Sequence, residues 1–162
     1  ACGDGSFGQL GLGDCRSCGT PTKVSFFDHE HVEQVACGLR HSLVLLKGPS
    51  GNQVYSFGSG KRGQLGLGME KLRSVTLPRS ICGLEDDDVV TIAANGDHSA
   101  ALSVDGRLYT WGRGFGDACG NNSPQPLASS LRFRSVALGW NHALLVTGNG
   151  GLYMLGGNHH GA

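Results

Sequence analysis

A glycine-rich stretch occurs twice in this chain, as Gly3-Asp4-Gly5-Ser6-Phe7-Gly8-Gln9-Leu10-Gly11-Leu12-Gly13 and as Gly58-Ser59-Gly60-Lys61-Arg62-Gly63-Gln64-Leu65-Gly66-Leu67-Gly68. A tandem repeat constrains a fold strongly, because each copy must form the same local unit and bury its apolar face against its neighbours. The same phase returns at Gly112-Arg113-Gly114-Phe115-Gly116 and at Gly156-Gly157-Asn158-His159-His160-Gly161. Four loop starts bound three units, at about residues 3–57, 58–111 and 112–155, with partial repeat ends at 1–2 and 156–162. The starts lie 55, 54 and 44 residues apart, and most of the shortening falls in the polar connection that precedes the strands of the third unit.

Each unit follows one grammar. In the first, Val32–Cys37 leads through Gly38-Leu39-Arg40 into His41–Leu46, a turn at Gly48-Pro49-Ser50-Gly51-Asn52, and Gln53–Phe57. In the second, Val89–Ala94, Asn95-Gly96-Asp97, His98–Ser103, an Asp105-Gly106 turn and Arg107–Trp111 follow in that order. The third has Ser135–Leu138, Gly139-Trp140-Asn141, His142–Val146, a turn at 148–151 and Leu152–Leu155. Short runs rich in β-branched and aromatic residues, joined by Gly turns, read as hairpin-linked strands, and Asp-Gly between two such runs is a strong hairpin signal. No segment has a helical pattern. Hairpin-linked strands at this period predict an all-β chain, a β-propeller segment of about three blades of antiparallel strands.

Glycine, at 28 of 162 residues, is far above average usage, yet the chain is 39% hydrophobic and its glycines sit at repeating positions. That pattern argues for turns within a packed fold rather than a flexible low-complexity chain. Zero net charge removes the electrostatic case for a protein that binds nucleic acid or a membrane surface as a whole. No apolar run reaches the roughly 18–20 residues of a membrane span, and no signal peptide opens the sequence. Six cysteines at unmatched spacings suit a reducing, intracellular compartment, cytoplasmic or nuclear, better than a disulfide framework.

Several chemical motifs are better read as architecture. The loops at Gly3 and Gly58 match G-x-G-x-x-G, but Gln-Leu-Gly-Leu-Gly is a poor helix start and no βαβ unit follows. Gly58-Ser59-Gly60-Lys61 lacks both the leading glycine and the Ser or Thr of a phosphate loop, having Tyr55 and Arg62 there. His41-Ser42 and His98-Ser99 are adjacent on strands, so the two side chains of each pair point to opposite faces and neither His serves as base for its own neighbour. His41, His98 and His142 are therefore expected to be structural, bonding a backbone group of the adjoining loop. Cys15 and Cys18 with His29 and His31 offer four zinc ligands, but the His spacing is wrong and no other unit repeats them, so no metal or cofactor is expected. Glu85-Asp86-Asp87-Asp88 reads as a solvated loop.

Cys37-Gly38-Leu39-Arg40-His41-Ser42-Leu43, Val54-Tyr55-Ser56-Phe57-Gly58 and Gly63-Gln64-Leu65-Gly66-Leu67-Gly68, in that order, resemble the repeat of the regulator of chromosome condensation family. The resemblance covers essentially the whole chain. It departs at Gly116-Asp117-Ala118-Cys119-Gly120, which lacks the Gln-Leu-Gly-Leu-Gly run, and at Asn95 and Leu138. Such proteins form seven-bladed propellers, which implies that three units are part of a ring whose open edges are covered by the remaining blades or by another chain. The termini agree, since Ala1-Cys2-Gly3 aligns with Ser56-Phe57-Gly58 and both ends fall within a repeat.

The resemblance implies a protein partner. The expected function is a non-catalytic protein–protein interaction scaffold, and the alternative is a guanine-nucleotide exchange factor for a small GTPase, a role that leaves little trace in sequence. Plant ultraviolet-B photoreceptors of the family have Gly-Trp-Arg-His-Thr before the strand. Here only Trp140 matches that Trp and only Arg40 that Arg, which disfavours light sensing. The residues that vary between units, Leu39, Arg40, Asp97, Trp140 and Asn141, are expected to bind the partner on one face, with Lys61, Arg62 and Arg113 near another rim.

Overall fold

The structure, a computed structural model, describes residues 1–68, 73–84, 87–115 and 120–157. Glu85, Asp86, the departure at 116–119 and the terminal 158–162 lie outside the described residues. Eleven strands run in order: β1 His31–Cys37, β2 His41–Lys47, β3 Gln53–Gly58, β4 Val75–Ser80, β5 Val89–Asn95, β6 Asp97–Ser103, β7 Leu108–Arg113, β8 Asn121–Pro126, β9 Phe133–Leu138, β10 His142–Thr147 and β11 Leu152–Gly156. They form three antiparallel sheets, β1-β2-β3-β4, β5-β6-β7-β8 and β9-β10-β11, which are called blades 1, 2 and 3. The helical content among the described residues is one 3₁₀ turn, Ser25–Phe27.

All nine expected strands are present, and the sequence reading missed two more. β4 and β8 lie in what reads as polar connection and carry Pro78, Pro124 and Pro126. Proline donates nothing to a ladder, so it is tolerated at a sheet edge, and β4 and β8 are the outermost strands of their sheets. The glycine-rich loop is thus the connection between the third and fourth strands of one blade. Gly3 pairs with Cys18 as Gly58 pairs with Val75 and Gly112 with Asn121, a remnant of the same outer pair from a preceding unit.

The blades share one pairing register. His41 pairs with Gly58, His98 with Gly112 and His142 with Gly156 across the second and third strands of each sheet. The glycine is required there: φ is 110°, 83° and 111°, and a Cβ would stand 2.5, 2.4 and 2.6 Å from the carbonyl oxygen of the residue before each His. No L side chain fits that conformation and that gap together.

The cores lie between sheets. Leu43 and Leu45 of blade 1 pack with Ile92, Ala101 and Trp111 of blade 2, and Ala100, Leu102 and Leu108 of blade 2 pack with Phe133 and Leu145 of blade 3. Blade 1 lacks such a cover on its other side. Val35 is 64% exposed, whereas Ile92, its register equivalent in blade 2, is 3% exposed beneath blade 1. A hollow of about 460 Å³ lined by Leu10, Phe27, Val32, Val35, Leu43 and Phe57 marks that uncovered face. On the far side of blade 3, Leu144, Leu152 and Met154 are exposed, whereas Tyr153 pairs with Leu145 and turns towards Phe133 on the blade 2 side.

Candidate interaction site at the junctions between blades

The glycine-rich loops at Gly3 and Gly58 each sit on the blade that follows them. The Gln64 carbonyl accepts from Trp111 Nε1 and from Ser99 Oγ, both at 2.9 Å, and the Gln64 side chain closes its own loop by accepting from the Arg62 N–H at 2.8 Å. The first copy repeats this: Gln9 Oε1 accepts from the Phe7 N–H, and the Gln9 carbonyl accepts from Ser42 Oγ at 2.8 Å. Gly11 and Gly66 lie flat on Phe57 and Trp111, where a Cβ would come within 2.9 Å of the ring. The loop glycines therefore serve close packing between blades.

His41 does not bond a loop backbone group, as its sequence context suggests. Its Nε2 lies 2.8 Å from Ser99 Oγ of blade 2. Blade stacking, invisible in strand periodicity, brings the two together. Because the Ser99 proton goes to the Gln64 carbonyl, His41 is the donor, with its hydrogen on Nε2 and a bare Nδ1 that has no partner. Burial, reinforced by the positive charge His98 would carry, pushes His41 down to about 3. Burial lowers His98 too, against smaller opposing effects from the backbone of Gly139 and Arg113 and from Asp97. Ser99 is fully buried and its proton is committed, so the pair joins blades and offers no accessible nucleophile.

At the junction of blades 2 and 3 these groups change together. Ala143 stands where Ser42 and Ser99 stand in the other blades, and Leu155 where Phe57 and Trp111 stand. His142 is half-buried, whereas its counterparts are fully buried. A hollow of about 240 Å³ opens here, lined by Arg62, Asp97, Arg113, Gly114, Trp140 and Asn141. Trp140 is 66% exposed and lies against Gly96. Asp97 is half-buried, opposite Arg113 in the strand register, and accepts from Gln64 Nε2 at 3.2 Å.

The structure thus revises the expected grouping. Arg62 and Arg113 do not lie on a separate rim but share one hollow with Asp97, Trp140 and Asn141. Lys61 is exposed on the loop without lining it. Leu39 and Arg40 are exposed at the blade 1–2 junction, where the Leu39 N–H donates to the Gly96 carbonyl at 2.9 Å and the Arg40 guanidinium lies 4.8 Å from the centre of the Phe7 ring. Phe7, Gly96 and Gly114 complete these surfaces. The variable stretch before each His signals Gly96, whereas Phe7 and Gly114 sit in glycine loops from which the sequence singles out Lys61, Arg62 and Arg113.

Other motifs resolve similarly. Among the described residues no three His, Cys, Asp or Glu side chains converge as metal ligands. Asp87 and Asp88 are not merely solvated: Asp87 accepts from the Tyr109 hydroxyl and lies 3.6 Å from Arg107, and Asp88 Oδ1 accepts from the Asn52 N–H. Trp111 is fully buried in blade 2, and among the described residues neither Trp faces another aromatic ring. No described helix is long and apolar enough to cross a membrane.

The regulator of chromosome condensation (RCC1) repeat matches residues 1–45 and 52–102, and a second form of the repeat matches 32–64, 89–116 and 133–162. The chain is 34% identical to the ultraviolet-B receptor UVR8 of Arabidopsis thaliana over 98% of its own length and 37% of the receptor's. It is 35% identical to the probable E3 ubiquitin-protein ligase HERC6 of Homo sapiens over 99% of its own length and 16% of the ligase's. The crystal structure of Prp20p from Saccharomyces cerevisiae, described with its binding properties to Gsp1p and histones, superimposes with a TM-score of 0.73 at 28% identity, covering 96% of this chain and 40% of that one. The chain therefore spans well under half of each of these relatives. With the repeat matched across most of the sequence and three antiparallel blades stacked through it, the chain belongs to the regulator of chromosome condensation (RCC1) repeat family of β-propellers.

Proposed function

We propose that this chain is a non-catalytic protein-interaction scaffold, and that its partner docks at the loops joining adjacent blades. The observation that carries this reading is Trp140, a large aromatic side chain 66% exposed beside a hollow lined by Arg62, Arg113, Asp97 and Asn141. Trp and Arg dominate interface hot spots, because each combines broad contact area with a polar handle. The loop that carries Trp140 is pinned on both sides: Gly139 N–H donates to the His142 carbonyl at 2.8 Å, and Gly157 N–H to the Asn141 carbonyl at 2.9 Å. The family hosts a photoreceptor, a ligase and a protein described as binding Gsp1p and histones, so the repeat supplies a platform and the exposed residues supply the function. Remaining blades, or another chain, cover the apolar faces of blades 1 and 3.

The similarity to Prp20p favours one second reading, guanine-nucleotide exchange on a small GTPase. A nucleotide-release assay on the longer protein with a panel of small GTPases separates the two. Accelerated release from any of them supports exchange; binding without acceleration supports the scaffold.

A further inference from the structure

We infer that the hollow between blades 2 and 3 takes an acidic segment of a partner protein, with carboxylates on Arg62 and Arg113 and an adjoining apolar side chain on Trp140. This rests on the scaffold reading and specifies the chemistry of what is bound. Three observations converge on it. First, two guanidinium groups line one small hollow, and among the described residues neither has an ion-pair partner. The carboxylate there, Asp97, is held by Gln64 Nε2, so the formal balance of the hollow's side chains is one positive charge. Guanidinium groups bind carboxylates through paired, charge-assisted hydrogen bonds, which makes an anion the complementary ligand.

Second, the indole of Trp140 lies against Gly96 and remains largely open, giving an apolar platform beside the two cations. A small inorganic anion leaves that platform unused, whereas a peptide that pairs acidic with apolar residues covers both. Third, the hollow lies at the junction where the Ser hydroxyl and the buried aromatic ring that hold the loop elsewhere are replaced by Ala143 and Leu155. The Ser hydroxyl and aromatic ring used at the blade 1–2 junction are thus absent from blade 3 beside the charged hollow.

The test uses the full-length chain and two fluorescein-labelled peptides of identical length, Asp-Glu-Phe-Glu-Asp and Asn-Gln-Phe-Gln-Asn, titrated by fluorescence anisotropy at low and moderate salt. The acidic peptide is expected to bind at least tenfold more tightly than the neutral one and to weaken as salt rises. Arg62→Gln and Arg113→Gln are each expected to reduce its affinity about tenfold, and Trp140→Ala to reduce it by a similar factor, with circular dichroism and melting unchanged. Equal binding of both peptides, lost on Trp140→Ala, overturns the acidic specificity while leaving the hollow as an interaction site. Absence of acidic-peptide binding at millimolar concentration, or binding that survives both Arg substitutions, overturns the inference. Loss of a natural partner on Trp140→Ala but not on either Arg substitution keeps the scaffold reading and likewise removes the acidic ligand.

Discussion

His41 of blade 1 donates from Nε2 to the hydroxyl of Ser99 in blade 2, 2.8 Å away, and the Ser99 hydroxyl in turn donates to the Gln64 carbonyl of the glycine-rich loop. Three segments distant in sequence are thereby joined through one buried hydroxyl. Ser99→Ala is expected to destabilise the chain by about 1–3 kcal/mol, because it leaves a buried imidazole N–H without an acceptor. Ser42→Ala removes only the bond to the Gln9 carbonyl from a half-buried site and is expected to cost less. Urea midpoints of the two variants at constant m-value check the order.

The same imidazole makes stability depend on pH. Its folded-state value of about 3 lies below the ordinary 6.5, so the unfolded chain binds the proton more readily. The stabilisation from His41 is fully present above about pH 6.5 and falls as pH drops from there towards 3, by about 1.4 kcal/mol for each pH unit within that window. His98, lowered in the same direction, adds to the trend. Denaturant unfolding across pH 7.5 to 4.5 should show this slope, and His41→Gln should flatten it; an unchanged slope in that variant refutes the assignment.

Gly66→Ala is expected to cost about 2–4 kcal/mol. It places a methyl group 2.9 Å from Trp111 Nε1 and forces Ala to φ 68°. Gly68→Ala has open space around the new methyl group and pays only for its positive φ, about 1–2 kcal/mol. Equal melting temperatures for the two would show that the loop does not rest on Trp111.

Residues 1–162 alone are expected to self-associate or to be partly unfolded. Val32 and Val35 on one end and Leu144, Leu152 and Met154 on the other leave two apolar faces exposed. Sedimentation velocity across a concentration series reads this directly. A monodisperse monomer with a sharp cooperative melt contradicts the expectation.

Trp140→Ala combined with Arg40→Ala is expected to weaken partner binding by about 2 kcal/mol or more while preserving the fold. Trp140 stands largely in solvent and Arg40 is exposed over the Phe7 ring, so neither removal opens the core. Calorimetry on a longer chain, with matched circular dichroism, measures the effect. Unchanged affinity would move the binding surface to the exposed glycine-loop rim around Lys61.

The sequence alone determined the repeat, the all-β class, nine of the strands and the equivalence of His41, His98 and His142, because turn glycines and alternating apolar residues are local signals that recur at a fixed period. It did not reveal β4 or β8, whose prolines and polar residues look like connection until edge position explains them. It also could not join His41 to Ser99, or bring Arg62 and Arg113 to Trp140. Those contacts cross between blades, 58 residues apart in the first case, and depend on how one twisted sheet stacks on the next. Local pattern dictates which strands form and which faces are apolar; only the stacking of those faces decides which side chains meet across a junction.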